Sequence, residues 1–211
     1  RLQLDTASRP ALAAINTDAQ ALASSPIPEK LMIGRSVTRG LSAGGELEQG
    51  RKAAESDAAG ILKMVTGMDL VFILAGLGGG TGSGAAPVVA RVAREQGALV
   101  VAFVTLPFTL EGSRRHQVAE EALADLRAVS DAVVPRPNDL LMQQADEHAT
   151  VLDAFEQADT WIGGGVRSIC AMLFQTGLIN VDFATLKKAF CVQGGKTLFG
   201  LGRGEDALAF G

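Results

Sequence analysis

Two long apolar runs constrain the fold of this chain more than any other feature of its sequence. Asp69–Leu77 reads DLVFILAGL and Ala98–Leu106 reads ALVVAFVTL, and in neither run do polar residues alternate with apolar ones. Continuous apolar character is typical of strands that are buried on both faces, as in a parallel sheet covered by helices. Shorter runs of the same kind occur at Leu12–Ile15, Leu31–Ile33 and Ala132–Val134.

Helical patterns separate the predicted strands. They cover about Glu46–Val65, Ala85–Gln96 and Arg114–Val129, and a longer one covers about Ala149–Gln175. This alternation predicts an α/β fold with a doubly wound, mostly parallel sheet flanked by helices and followed by a long central helix. The triplet Gly163–Gly165 interrupts the long pattern, and helical glycines cost about 1 kcal/mol each relative to alanine. We therefore expect a kink there or, preferably, close packing of the helix on the sheet.

A further helix is predicted at Phe183–Phe190, and a strand with turns at Gly194–Gly204. We accordingly divide the chain into three parts. Residues 1–148 form the main domain, residues 149–193 hold the central helix and the loop after it, and residues 194–211 begin an incomplete C-terminal domain.

The composition indicates a folded protein without a strongly basic surface. Hydrophobic residues make up 47% and charged residues 20% of the chain, and the formal net charge is -4. Because there is no Lys/Arg-rich block, no signal peptide and no apolar run of membrane-spanning length, we expect a cytoplasmic protein without nucleic-acid binding or membrane insertion. Cys170 and Cys191 lie in apolar helical patterns and predict buried free thiols. His116 and His148 lack a second histidine at ligand spacing, so no metal site is predicted.

The loop Gly78–Gly84 reads GGGTGSG, and it joins a buried strand to a helical pattern in which Pro87 is expected in the first turn. Clustered glycines at the start of a helix let successive backbone N–H groups face one point, which makes an anion cradle. Thr81 and Ser83 add hydroxyl donors. The loop lacks the lysine of a Walker loop and does not fit the dinucleotide fingerprint. By itself it is compatible with an anion site or with a tight strand–helix connection.

This glycine loop resembles the signature of the FtsZ/tubulin family of GTPases, and further motifs resemble that family in the same order along nearly the whole chain. They are Asn16–Leu22, Gly40–Gly45, Pro107–Arg115, Pro137–Leu141, Ala154–Asp159 and Gly177–Phe183.

The resemblance implies a site for GTP or GDP with Mg²⁺. Gly80–Gly82 would hold the α- and β-phosphates, and Ala43–Gly45 would close on the γ-phosphate. The full set of GTP-binding residues that it implies is Ala43, Gly44, Gly45, Gly78, Gly79, Gly80, Thr81, Gly82, Ser83, Thr105, Pro107, Glu111, Arg115, Asn138, Phe155 and Asp159.

Five of these residues have base- and ribose-side roles in the resemblance. Glu111 and Arg115 would face the ribose and base edge, Asn138 and Asp159 would read the guanine edge, and Phe155 would stack on the base. Without the resemblance, Glu111 and Arg115 would be read as an exposed i,i+4 pair, and Phe155 as a core residue.

The resemblance further implies a longitudinal homopolymer that acts in bacterial cell division, with division or membrane-tethering proteins as further partners. Asp182 and Asn180 would act in trans on the nucleotide of the next subunit. Thr185 stands where hydrolytic members carry an acidic residue, and threonine cannot serve as a general base near neutral pH. We therefore expect weak GTP hydrolysis. The alternatives are a nucleotide-gated structural polymer with little or no hydrolysis and an NAD(P)-type α/β enzyme, although no hydride-transfer acid/base pair is evident.

Besides Thr185 and the incomplete C-terminal domain, the chain departs from the family pattern in two further places. The family has a strand and a glycine-rich, Asn-containing phosphate loop before the Asn16 region, and we find neither, so we expect a fragment. Near the γ-phosphate loop, Ser42 stands where glycine is usual, and Glu46 and Leu47 replace Asn-Pro. A carboxylate at Glu46 would repel a phosphate unless Mg²⁺ intervenes or the side chain turns outward.

Overall fold

A computed structural model describes residues 10–140, 150–174 and 183–190 of the chain. Within these ranges, parallel strands alternate with helices along the sequence, as the apolar pattern predicts. The strands are β1 (Ala13–Asn16), β2 (Glu29–Met32), β3 (Leu70–Gly76), β4 (Leu99–Leu106) and β5 (Ala132–Pro137). The helices are α1 (Ala19–Ser24), α2 (Arg35–Thr38), α3 (Leu47–Ser56), α4 (Ala58–Val65), α5 (Gly80–Glu95), α6 (Ser113–Val129), α7 (Val151–Phe174) and α8 (Phe183–Phe190), with a 3-10 turn at Thr109–Glu111.

Strand β4 is buried on both faces, which explains its almost entirely apolar sequence. Val100, Ala102 and Val104 pack into a core shared with α3, α4, α5 and α6. Leu99, Val101 and Phe103 point to the opposite side, into a second core with residues of α7 and α8. Since successive residues of a strand face opposite sides, a strand covered by helices on both sides needs apolar residues at nearly every position. The predicted α/β fold with parallel strands between helical layers is confirmed.

The strands of the described residues form two sheets instead of the single sheet that the sequence predicted. β1 pairs with β2, and β3, β4 and β5 pair in that order, all in parallel. A groove of about 390 Å³ lies between β1 and β3, lined by residues of both strands and by Ala85, Ala86 and Val89 of α5. The edges of β1 and β3 that face this groove have no strand partner among the described residues.

The helix after the glycine loop begins at Gly80, so the prediction of a start near Ala85 with Pro87 in the first turn is wrong. Pro87 lies inside the helix. The early start depends on close packing, because a β-carbon at Gly82 would collide with the carbonyl oxygen of Gly76, and one at Gly84 with that of Leu47. Tertiary contacts therefore override the low helix propensity of glycine.

The predicted helix at Glu46–Val65 is two helices, α3 and α4, which meet at Asp57. The Asp57 carboxylate accepts a hydrogen bond from the backbone N–H of Gly34 at 2.6 Å. This contact ties the break to the loop after β2. The sequence does not reveal it, because the two residues are 23 positions apart.

Helix α7 runs through its glycine triplet without interruption. A β-carbon at Gly165 would lie 2.6 Å from the Phe103 ring, so the glycine lets the helix pack closely on β4. The Trp161 ring meets Phe103 edge-on with centroids 5.9 Å apart, and the Arg136 guanidinium lies 5.0 Å from its centroid. Of the two readings of the triplet, close packing is the one that the structure supports.

Cys170 of α7 is a buried free thiol, as predicted, and burial raises its pKa. Cys191, His148 and the predicted strand region at Gly194–Gly204 lie outside the described residues. No helix within the described ranges combines the length and apolar character that a membrane span requires.

Candidate functional site

The candidate site is built from the loops that follow the carboxyl ends of four parallel strands. Thr17 follows β1, Leu77–Gly79 follow β3, Pro107 follows β4 and Asn138 follows β5. Open α/β sheets bind ligands at this edge, in the crevice outside the carboxyl ends of their strands. The arrangement thus brings most of the predicted site residues to one end of the molecule.

The glycine loop is braced from both sides. The backbone N–H of Leu77 donates to the Thr105 carbonyl at 2.9 Å, which anchors the loop to β4. The backbone N–H of Gly78 donates to the buried Ser83 hydroxyl at 2.8 Å. The Thr81 hydroxyl lies 2.8 Å from that of Thr17, which is fully buried. Both hydroxyls of the loop therefore already have partners within the protein.

The groups of the loop that remain for a ligand are backbone N–H groups. The first N–H groups of an α-helix have no intrahelical acceptor, and in α5 these belong to Gly80, Thr81 and Gly82. The helix dipole adds positive potential at the same point. A β-carbon at Gly79 would meet nothing within 4 Å, so the loop is open on that side. Such a helix start suits phosphate or another anion.

A second glycine segment packs directly against this helix start. A β-carbon at Gly80 would lie 2.8 Å from the β-carbon of Ala43 and 2.9 Å from the backbone nitrogen of Glu46. Gly44 and Gly45 have φ angles of 60° and 79°, which favour glycine, and a β-carbon on either would meet nothing within 4 Å. The predicted γ-phosphate loop thus lies beside the predicted α/β-phosphate loop and has an open side.

The loop after β4 closes the site near Gly78. A β-carbon at Gly78 would lie 3.2 Å from a ring carbon of Pro107 and 3.1 Å from the Arg115 carbonyl oxygen. The Glu111 carboxylate accepts a hydrogen bond from the Phe108 N–H at 2.8 Å, and its other oxygen is paired with Arg115. Glu111 and Arg115 therefore form the i,i+4 pair that the sequence allowed, at the rim of the site.

Asn138 lies in the loop after β5 and is 3% exposed. Its backbone N–H donates to the Leu106 carbonyl at 3.1 Å, but its side-chain Oδ1 is buried without a hydrogen-bond partner among the described residues. Buried polar atoms in folded proteins are nearly always paired. The Asn138 oxygen can therefore accept a hydrogen bond from a ligand bound at this edge.

The neighbouring Asp139 joins the loops after β4 and β5. Its carboxylate accepts hydrogen bonds from the Thr109 N–H at 3.1 Å and the Thr109 hydroxyl at 2.7 Å. These bonds, the backbone one first, hold the pKa of Asp139 below its usual value. The carboxylate is therefore kept ionised and keeps the two loops together.

The predicted site residues of the central helix and of the loop after it are not tested by the contacts described above. Asp159 is exposed on α7, and Phe155 lies one turn earlier on the same helix. Asn180 and Asp182 lie outside the described residues. Their roles stay predictions.

Three residues near the site were missed by the sequence analysis, which had considered Glu46 near the γ-phosphate loop: Thr17, Asp139 and Arg114. Glu46 and Arg114 form an ion pair between the γ-phosphate loop and the start of α6. A signal for Arg114 was available, since basic residues are unfavourable in the first turn of a helix, where Arg114 and Arg115 stand together. Within the described ranges, no group of three or more His, Cys, Asp and Glu residues could hold a metal ion.

Known proteins are similar to this chain in both sequence and fold. The profile of the Tubulin/FtsZ family, GTPase domain, matches residues 4–146. The cell division protein FtsZ of Haemophilus influenzae is 47% identical over 189 residues, which are 90% of this chain and 45% of that protein. An empty FtsZ dimer of M. jannaschii superposes with a TM-score of 0.80 at 43% identity, over 84% of this chain and 52% of its own.

A more distant neighbour is CetZ2 from Haloferax volcanii, solved as a GTPγS-bound protofilament, with a TM-score of 0.67 and 28% identity over 75% of this chain and 48% of its own. The chain spans about half the length of these relatives. The family profile covers more than half of the chain, and the similarity to FtsZ extends over most of the rest. This chain belongs to the Tubulin/FtsZ family.

Proposed function

We propose that this chain is the nucleotide-binding part of a cytoplasmic, filament-forming GTPase that acts in bacterial cell division. The observation that carries the proposal is the convergence of two glycine loops, Ala43–Gly45 and Gly78–Gly82, at the carboxyl edge of the strands. Their close backbones and the free N–H groups of α5 suit a chain of phosphates. Asn138 supplies an unpaired amide oxygen at the same edge, next to the loop that carries Glu111 and Arg115.

Each predicted residue then has a physical task. Gly80–Gly82 hold the α- and β-phosphates through backbone N–H groups, and Gly44 and Gly45 approach the γ-phosphate closely because they have no side chains. Glu111 and Arg115 face the ribose, and Asn138 reads the base edge. Phe155 and Asp159 complete the base side from α7. Mg²⁺ enters with the nucleotide, since Mg²⁺ in such sites is held largely by phosphates and water.

Hydrolysis is proposed to require a second subunit. Asp182 and Asn180 of one subunit orient the attacking water at the nucleotide of the next, so that the site is complete only in a longitudinal polymer. The related FtsZ and CetZ2 structures are described as a dimer and as a protofilament, which supports self-association. Proteins that organise division or tether the filament to the membrane are further proposed partners.

Turnover should depend on assembly. We expect the GTPase rate per subunit to rise steeply with protein concentration, because the water-orienting group and the nucleotide lie on different chains. Phosphate release measured over a wide range of subunit concentrations tests this expectation. A rate per subunit that stays constant across the range would exclude a site completed in trans.

Thr185 favours one alternative, a polymer whose assembly is gated by GTP but which hardly hydrolyses it. Thr185 lies in the first turn of α8 and is exposed. If a missing carboxylate limits turnover, Thr185→Asp should raise the rate about 10²-fold or more, the usual scale of general-base catalysis. Ala184→Asp, which adds the same charge at the neighbouring exposed position, serves as the control. Equal rates in all three proteins would show that Thr185 is not limiting.

A further inference from the structure

Glu46 is an unfavourable residue for the place that it occupies. Its backbone nitrogen and oxygen would both lie 2.9 Å from a β-carbon on Gly80, the first residue of the anion-binding helix start. It directly follows Gly44 and Gly45, where a β-carbon would meet nothing within 4 Å and which are proposed to approach the γ-phosphate. A carboxylate attached at this point repels a phosphate group unless its charge is directed away or compensated.

The structure directs that carboxylate to Arg114. One oxygen of Glu46 is paired with the guanidinium of Arg114, 68 residues further along the chain. The two side chains are 54% and 76% exposed. An exposed ion pair of this kind contributes little to stability. We therefore look for the role of this ion pair in the position at which it holds the Glu46 carboxylate.

The position of Arg114 also needs an explanation. It stands in the first turn of α6 beside Arg115, where the helix dipole disfavours positive charge. Each arginine is paired with a carboxylate, Arg115 with Glu111 and Arg114 with Glu46. Departures from a local rule are expected at functional sites. The two pairs connect the start of α6 to the segment after Gly45 and to the 3-10 turn after β4.

We infer that Arg114 is a positioning residue for the nucleotide: it holds the Glu46 carboxylate away from the phosphates and so protects affinity for a triphosphate. The inference rests on the proposed function. Because the loop Ala43–Gly45 would face the γ-phosphate, loss of Arg114 should weaken triphosphate binding more than diphosphate binding. Arg114 itself need not touch the nucleotide.

A series of variants that remove or keep the two charges tests this inference on the purified protein. The affinities for a non-hydrolysable GTP analogue and for GDP are measured for the unsubstituted protein, Arg114→Ala, Arg114→Lys, Glu46→Gln and the double variant Glu46→Gln/Arg114→Ala. Arg127→Ala is the matched control, since Arg127 is an exposed arginine in the last turn of the same helix, about 20 Å away. Melting temperatures identify any variant that fails to fold.

We expect Arg114→Ala to bind the GTP analogue about three- to tenfold more weakly, the scale of a few unit charges interacting through water at close range. The affinity for GDP should change less. Raised salt should shrink the difference, because it screens exposed charges. Arg114→Lys and Arg127→Ala should bind like the unsubstituted protein. The double variant should bind the GTP analogue with the affinity of the unsubstituted protein, because it lacks the carboxylate that would repel the phosphates.

Two results would overturn the inference. If Arg114→Ala binds the analogue normally, Glu46 does not need to be held. If the double variant binds as weakly as Arg114→Ala, then Arg114 acts on the nucleotide directly and not through Glu46. Failure of the unsubstituted protein to bind either guanine nucleotide would be a different outcome, since it would refute the proposed function and with it the inference.

Discussion

The buried side-chain oxygen of Asn138 has both an expected cost in stability and a proposed role in nucleotide binding. Its side-chain oxygen is buried without a partner, although its backbone N–H is bonded to Leu106. An unpaired buried polar group costs about 1–3 kcal/mol relative to a paired or apolar one. Sites that bind ligands often keep such groups, because the ligand provides the missing partner.

This reading predicts opposite effects of one substitution. Asn138→Leu, which is similar in size, should raise the free energy of unfolding of the unliganded protein by about 1 kcal/mol, because it removes the unpaired oxygen. The same change should weaken guanine-nucleotide binding at least about tenfold, the cost of a lost hydrogen bond to a base edge. Urea denaturation and equilibrium binding measure the two effects.

Ser130 provides the matched control for this prediction. Its hydroxyl is also buried without a partner among the described residues, but it lies at the end of α6, away from the strand ends that carry the site. Ser130→Ala should therefore raise stability without changing nucleotide affinity. If Asn138→Leu behaved in the same way, Asn138 would have no part in binding.

At the scale of helices and strands, the sequence predicts the order of the elements well and their ends less well. All five strands and α6 and α8 occur where the apolar patterns place them. The start of α5 is missed by five residues, because glycine propensity hides a helix start that Gly82 and Gly84 make possible through contact with other segments. Local patterns contain no information about such contacts.

The same limit applies to the site. The motifs identify the loops that converge, because the carboxyl ends of parallel strands meet at one edge. They do not identify the side-chain contacts that fix the loops. Thr17 and Thr81 are 64 residues apart, and Glu46 and Arg114 are 68 residues apart. These contacts depend on the folded arrangement and have no periodicity in the sequence.

The packing of α7 on the sheet gives a prediction for one element. Gly165→Ala should destabilise the protein by about 1–3 kcal/mol, because the added carbon meets the buried Phe103 ring at 2.6 Å. Gly163→Ala in the same helix is the control. There the added carbon lies 3.2 Å from the flexible end of Arg167, so helix propensity should dominate and raise stability by up to about 1 kcal/mol.

Urea denaturation of the two variants separates packing from propensity. Both substitutions exchange glycine for alanine at positions two residues apart in one helix, so propensity alone would shift the free energy of unfolding alike in the two variants. If Gly165→Ala proved as stable as Gly163→Ala, the helix would not depend on a glycine at its contact with β4.

At the scale of the whole molecule, the strands of two sheets direct their carboxyl ends to one edge. β1 and its loop lie on one side of the groove, and β3, β4 and β5 lie on the other. Thr17 and Thr81 connect the two sides by a hydroxyl contact of 2.8 Å. The proposed nucleotide site is thus shared by both sheets, and a ligand bound there would stabilise the molecule as a unit.

The central claim, that this edge binds a guanine nucleotide, is tested most directly by thermal unfolding with GTP, GDP and NAD present in turn. A ligand at about 100 times its dissociation constant stabilises the folded state by about 2.7 kcal/mol. We predict that GTP and GDP raise the melting temperature and that NAD at the same concentration does not. Stabilisation by NAD equal to that by GTP, or by none of the three, would contradict the account.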